Sequence, residues 1–170
     1  MTATAALAAV LADLAAVVDS LSDAQFADSA IDGISGSVGG HVRHCLDHVR
    51  ALERSVDSGV IDYDARERNT LVELDRTLAW SLLLSAGRRV AALPDAMLSR
   101  PVVVRARMHA ATAPVEVLSS LAREVSFVIA HTIHHCATIA VLAGVAPDRL
   151  PARFGLAPST PAPTVTVCAR

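Results

Sequence analysis

The chain contains no lysine. Its 15 basic residues are all arginine and are set against 17 acidic ones, for a formal charge of −2. With no basic surplus, a dedicated nucleic-acid binder is not expected. Aromatic residues make up only 3% of the chain although 52% is hydrophobic, so the core must be lean and built largely of Ala, Leu and Val, a helix-forming composition. The three cysteines, Cys45, Cys136 and Cys168, form neither a CxxC nor an even set. That excludes a disulfide framework and points to a reducing, cytoplasmic setting. HExxH, Glu-x-x-His on a histidine-bearing helix, Gly-x-Ser-x-Gly and a glycine-rich phosphate loop are all missing. Their absence removes the usual zinc-protease, di-iron, serine-hydrolase and nucleotide-binding readings. Met1 to Val18 is apolar but has no basic flank and carries Asp13, so it reads as a first core helix, and no membrane span is expected.

What is present is helical periodicity. Leu7, Val10, Leu11, Leu14, Val17, Val18 and Leu21 recur at spacings of three and four, which predicts a helix over 3–21. After the Ser-, Asp- and Gly-rich stretch 22–40, anchored by Ile31 and Ile34, a second helix is expected from Val38 to Val56, capped by Ser35 or Ser37 and stopped by Gly59. Thr70 with Glu73 has the pattern of a capping box opening a third helix that runs to Leu93, with Trp80 as a core anchor. The alternation in 101–109 predicts a short extended segment. Ser119 or Ser120 caps a fourth helix that ends at Gly144, and a Pro-rich tail follows. The expected architecture is therefore all-α: a four-helix bundle with long crossover loops over 1–150 and a tail over 151–170.

The fourth helix carries His131-Thr132-Ile133-His134-His135, so His131 and His135 stand one above the other on one face. Glu124 lies on the same stripe within ~20°. The second helix repeats the spacing with His44 and His48, and His41 lies near its start. Two imidazoles four residues apart can converge on one divalent ion, and a third from a facing helix would leave an open position for water or substrate. Glu124 is a candidate catalytic base or hydrogen-bond partner for an imidazole, and His48 a candidate proton carrier or ligand. His134 points ~80° off the stripe and is expected to bond elsewhere. The polar group Asp62, Tyr63, Asp64 and Arg66 reads as a structural latch on a connector. Arg105, Arg107 and His109 read as an anion site or the wet face of an edge strand.

Ser37-Val38, His44-Cys45-Leu46-Asp47 and His131-Thr132-Ile133-His134-His135, in that order and separation, resemble the DinB/YfiT-like family over about Leu7 to Val145. The resemblance implies a four-helix bundle holding a divalent metal (Zn, Ni, Mn or Fe) on three histidines, and carried over these are His44, His131 and His135. It also implies a small-molecule substrate, in some relatives a low-molecular-weight thiol used for S-transfer or isomerisation. The second-helix wheel favours His48 over His44 by ~40°, so His48 stands as an alternative or fourth ligand. A homodimer through the alanine-rich first helix is compatible with this reading. The competing reading is a non-catalytic bundle whose histidines line a pocket for a small molecule or partner.

Overall fold

The computed structural model describes residues 1–28, 36–65 and 70–161; Ile31, Ile34, Ser35, Arg66 and Cys168 lie outside these. Within them the chain forms helices α1 (Ala3–Ser20), α2 (Asp23–Ala27) and α3 (Val38–Ser58), then strand β1 (Val60–Asp62) and helix α4 (Arg76–Ala91). Strands β2 (Pro101–Ala106) and β3 (Val115–Ser120) precede helix α5 (Leu121–Ala143). The four long helices pack as a ring in which α1 and α3 each lie against both α4 and α5. Its centre is filled by Leu7, Leu11, Leu14, Leu46, Leu83 and Ile139, all essentially inaccessible. Each such side chain stabilises the fold by ~1.5–3 kcal/mol relative to exposure. By length and composition α1 and α5 would also suit a membrane span, and here both contribute to this interior.

An all-α bundle is not what forms. A three-stranded mixed sheet joins the helices, in the order β1-β2-β3, with β1 parallel to β2 and β2 antiparallel to β3. Val60 pairs with Val103, and Val103 with Leu118. The extended segment anticipated near 101–109 is the middle strand of this sheet. Its two partners escape helix periodicity for different reasons. β1 is too short to show alternation, and the end of β3 contains the serines that read as a helix cap. Ser120 does cap α5, whereas Ser119 remains in the strand.

Caps define the helices that build the site. Ser37 accepts a hydrogen bond from the Gly40 amide at the start of α3, and Gly59, with φ 71°, ends it in the left-handed region and turns the chain directly into β1. The helix expected to open at Thr70 opens instead at Arg76, where Asp75 accepts from the Leu78 amide. Residues 71–73 form a 3₁₀ turn whose Glu73 carboxylate pairs with Arg43 across to α3. That turn presses on α3 so closely that a Cβ added at Gly39 would lie 2.1 Å from the Glu73 carbonyl oxygen and 2.8 Å from the Phe26 ring.

Gly39→Ala is therefore expected to destabilise the protein by about 2–3 kcal/mol through overpacking against backbone. Gly40→Ala, whose Cβ would meet the Ser37 hydroxyl at an ordinary 3.6 Å, should be neutral or stabilising by up to ~1 kcal/mol. Urea denaturation of the two variants gives the comparison, and equal midpoints would refute it.

Past α5, residues 151–161 fold back over α1 and α5. Phe154 packs on the core, and Gly155, with φ 72°, crosses Ala137 so tightly that a Cβ there would lie 2.7 Å from the Ala137 backbone.

Candidate metal centre

α3 and α5 lie side by side, and their histidines meet between them. The Nε2 atoms of His44 and His131 face each other at 3.0 Å. His48, one turn after His44, donates from Nδ1 to the His44 carbonyl oxygen at 2.9 Å. With the proton on Nδ1, His48 carries its lone pair on Nε2, the usual way a protein fixes a ligand tautomer. The His48 and His131 ring centroids lie 4.2 Å apart. One nitrogen from each of His44, His48 and His131 lies within 4.8 Å of the others, so these three are close enough to hold a metal ion.

His135 takes a different place. Its ring is 4.7 Å from His44 and 4.6 Å from His131, but its Nδ1 faces the Nδ1 of His41 at 2.8 Å. The i,i+4 spacing thus brings His131 and His135 onto one face as expected. The crossing of α3 then assigns His48 to the His44/His131 pair and His41 to His135. Burial, and then repulsion from His131, His41, His134 and His48, pulls the His135 pKa down to about 3. A neutral imidazole is also the metal-binding form. His134 is exposed and makes an edge contact with His135.

Glu124 lies two turns before His131, and its carboxylate is completely inaccessible. It accepts from the Tyr63 hydroxyl at 2.9 Å, the Ser119 hydroxyl at 2.6 Å and Arg123 at 2.8 Å. The carboxylate therefore reaches the histidines through Tyr63, whose ring stacks on His48 at 5.0 Å with an interplanar angle of 18°. Burial, and then the Glu124 charge, push the Tyr63 pKa up, so the phenol keeps its proton and donates. Phe127 stacks on His131 at 5.6 Å and tilts against Tyr63 at 5.2 Å. Tyr63 and Phe127 together wall one side of the cluster with apolar ring faces.

The other side opens. A cavity of about 290 Å³ is lined by Ser37, His41, Arg43, His44, Glu73 and His135. Arg43 bridges Asp47 at 2.8 Å and Glu73 at 2.6 Å, and Asp47 also lies 3.6 Å from Arg50, so the Asp of the His44-Cys45-Leu46-Asp47 motif anchors the rim.

Tyr63 came into view in the sequence only as part of a polar connector, and Ser119 only as a cap. Phe127 read only as one of the apolar residues of its helix and His41 only as a residue facing solvent or the site mouth, where it does line the cavity, while Arg123 carried no signal. In the same connector, the Asp62 carboxylate accepts from the Asp64 and Ala65 amides, and Asp64 accepts from the Arg107 amide, so these carboxylates hold backbone, while Arg66 of the expected latch lies outside the described residues. Arg105 pairs with Glu116 on β3, while His109 sits in the turn after β2. Cys45 and Cys136 are free and buried, and burial raises both thiol pKa values.

These features define a helical bundle with an appended mixed sheet and a part-buried histidine cluster, three of whose rings lie close enough to hold a metal ion. No family model and no solved structure matches the chain. Over 102 residues it is 32% identical to FK506-binding protein 5 of Rhizopus delemar, a stretch that covers 59% of this chain and 26% of that protein. The chain thus spans a minor part of that relative, and FK506 binding is a property named for the relative alone.

Proposed function

We propose that the protein is a divalent-metal-dependent enzyme of the DinB/YfiT-like class, acting on a small molecule in a reducing, cytoplasmic setting. The observation that carries this reading is the part-buried His44, His48 and His131 group, with one nitrogen from each within 4.8 Å of the others. Two imidazole Nε2 atoms at 3.0 Å need a proton or a cation between them, and a third imidazole nitrogen within reach favours the cation. The chemistry of the ligands fits Zn, Ni, Mn or Fe. In this assignment His48 takes the part that the family resemblance gives to His135.

A bound ion supplies a Lewis acid that lowers the pKa of water or a thiol. The remaining work belongs to the chain. The His44 carbonyl orients His48 through Nδ1–H, Tyr63 and Phe127 exclude water from one side, and Glu124 fixes Tyr63. A substrate enters through the polar cavity, which is lined by the Arg43–Glu73 ion pair and by His41 and His135. The reactions within reach are hydrolysis and thiol transfer or isomerisation, the latter two favoured by the resemblance.

The test is elemental analysis of the purified protein together with its thermal midpoint with and without chelator. A stoichiometric ion present at ~100–1,000 times its dissociation constant stabilises by about 3–4 kcal/mol. Its removal should then lower the midpoint by roughly 5–15 °C for a domain of this size. Metal-free protein whose midpoint ignores both chelator and added metal would instead favour a non-catalytic binding module.

A further inference from the structure

A second cavity, of about 390 Å³, lies between the sheet and α5 on the far side of the Tyr63–Phe127 wall. Val104, Met108, Val117 and Phe127 give it apolar sides. Single exposed apolar residues are ordinary on a protein surface. Here Met108 is 66% exposed and Val117 45%, and both line the same concavity. An apolar hollow with a few polar groups is the usual form of a small-molecule site.

The polar groups specify what fits. Glu124 is wholly buried and already bonded by three donors, so it offers nothing further to a ligand. Arg123 spends Nη1 on Glu124, lies over Phe127 at 5.5 Å from the ring centroid, and is 65% exposed at the rim. Its remaining N–H groups have no protein partner among the described residues. Arg105, the neighbouring cation on the sheet, is taken up by Glu116. The donors left at the mouth therefore belong to one guanidinium, whose fork matches a carboxylate.

We propose that this cavity binds a small apolar monocarboxylate, with its hydrocarbon body against Val104, Val117 and Phe127 and its carboxylate on Arg123. The site stands on its own geometry and does not require a metal. Because Tyr63 and Phe127 form its inner wall, the bound molecule lies one aromatic layer from His48 and His131.

Calorimetric titration of the full chain with octanoate, octan-1-ol and octylammonium tests both halves of the proposal, run with metal and again in chelator so that a failed metal centre leaves the result readable. Octanoate should bind saturably and about tenfold more tightly than octan-1-ol, the worth of one charge-assisted contact, with octylammonium weakest. Val117→Asp places a charge in the exposed apolar side without disturbing the core, and it should weaken octanoate by about tenfold or more while circular dichroism stays unchanged. The proposal is overturned if octanoate shows no saturable binding, if octan-1-ol binds as tightly, or if the folded variant binds octanoate like the wild type.

Discussion

His131→Ala is expected to lower the affinity for a divalent ion by more than ~100-fold, beyond the 10–100-fold typical when only a partner of a ligand is lost. His131 is the ring on which the cluster converges. Its Nε2 faces His44 at 3.0 Å, and its centroid lies 4.2 Å from His48 and 4.6 Å from His135. The same measurement on His135→Ala and His48→Ala separates the two ligand sets. If His44, His48 and His131 hold the ion, His48→Ala should approach the loss seen for His131→Ala, and His135→Ala should cost ~10–100-fold at most, because His135 faces His41. Competition titration against a chromogenic chelator reads all three. Near-wild-type affinity in His48→Ala, together with full loss in His135→Ala, would restore the ligand set that the family resemblance implies.

Glu124→Ala should be the most destabilising substitution near the site, at about 3–5 kcal/mol. The carboxylate is completely inaccessible, and its removal strands two hydroxyl donors, Tyr63 and Ser119, in the same pocket. Charged hydrogen bonds of this kind contribute ~1.5–3 kcal/mol each. The Arg123 contact adds little to the total, because Arg123 is 65% exposed and its partner charge is screened by solvent. Glu124→Gln keeps an acceptor for one hydroxyl and should recover roughly half the loss. Urea denaturation of chelator-treated protein isolates this effect from metal binding. A loss under ~1 kcal/mol for Glu124→Ala would mean that the carboxylate does not organise the wall.

Much of this arrangement is legible in the sequence because it is local. Three- and four-residue spacing marks α1, α3 and α5, and Ser37, Gly59, Ser120 and Gly144 mark their ends by backbone chemistry that operates within a turn. The same periodicity puts His44 with His48, and His131 with His135, on common faces. The wheel that leans toward His48 corresponds to its burial, 5% exposed, against a half-buried His44. The remainder is non-local. No spacing within α3 or α5 states how the two helices cross, and it is the crossing that pairs His41 with His135 and His44 with His131. The sheet is hidden for a related reason, since Val60 acquires strand character only by meeting Val103. Thr70 and Glu73 show the limit of a local signal, because Glu73 pairs with Arg43 across the structure and the capping pattern is left unused.

The parallel pairing of Val60 with Val103 also bears on the order in which the molecule assembles. β1 leaves α3 through Gly59 and carries Tyr63 at its far end, yet its hydrogen-bonding neighbour arrives only after α4 has been threaded between them. Contacts of such long sequence separation must bear the entropy of closing a large loop before they return any energy. The Tyr63–Glu124 contact spans 61 residues and the His44–His131 contact 87, so the aromatic wall closes a smaller loop than the histidine cluster it covers, and both depend on α5 reaching α3.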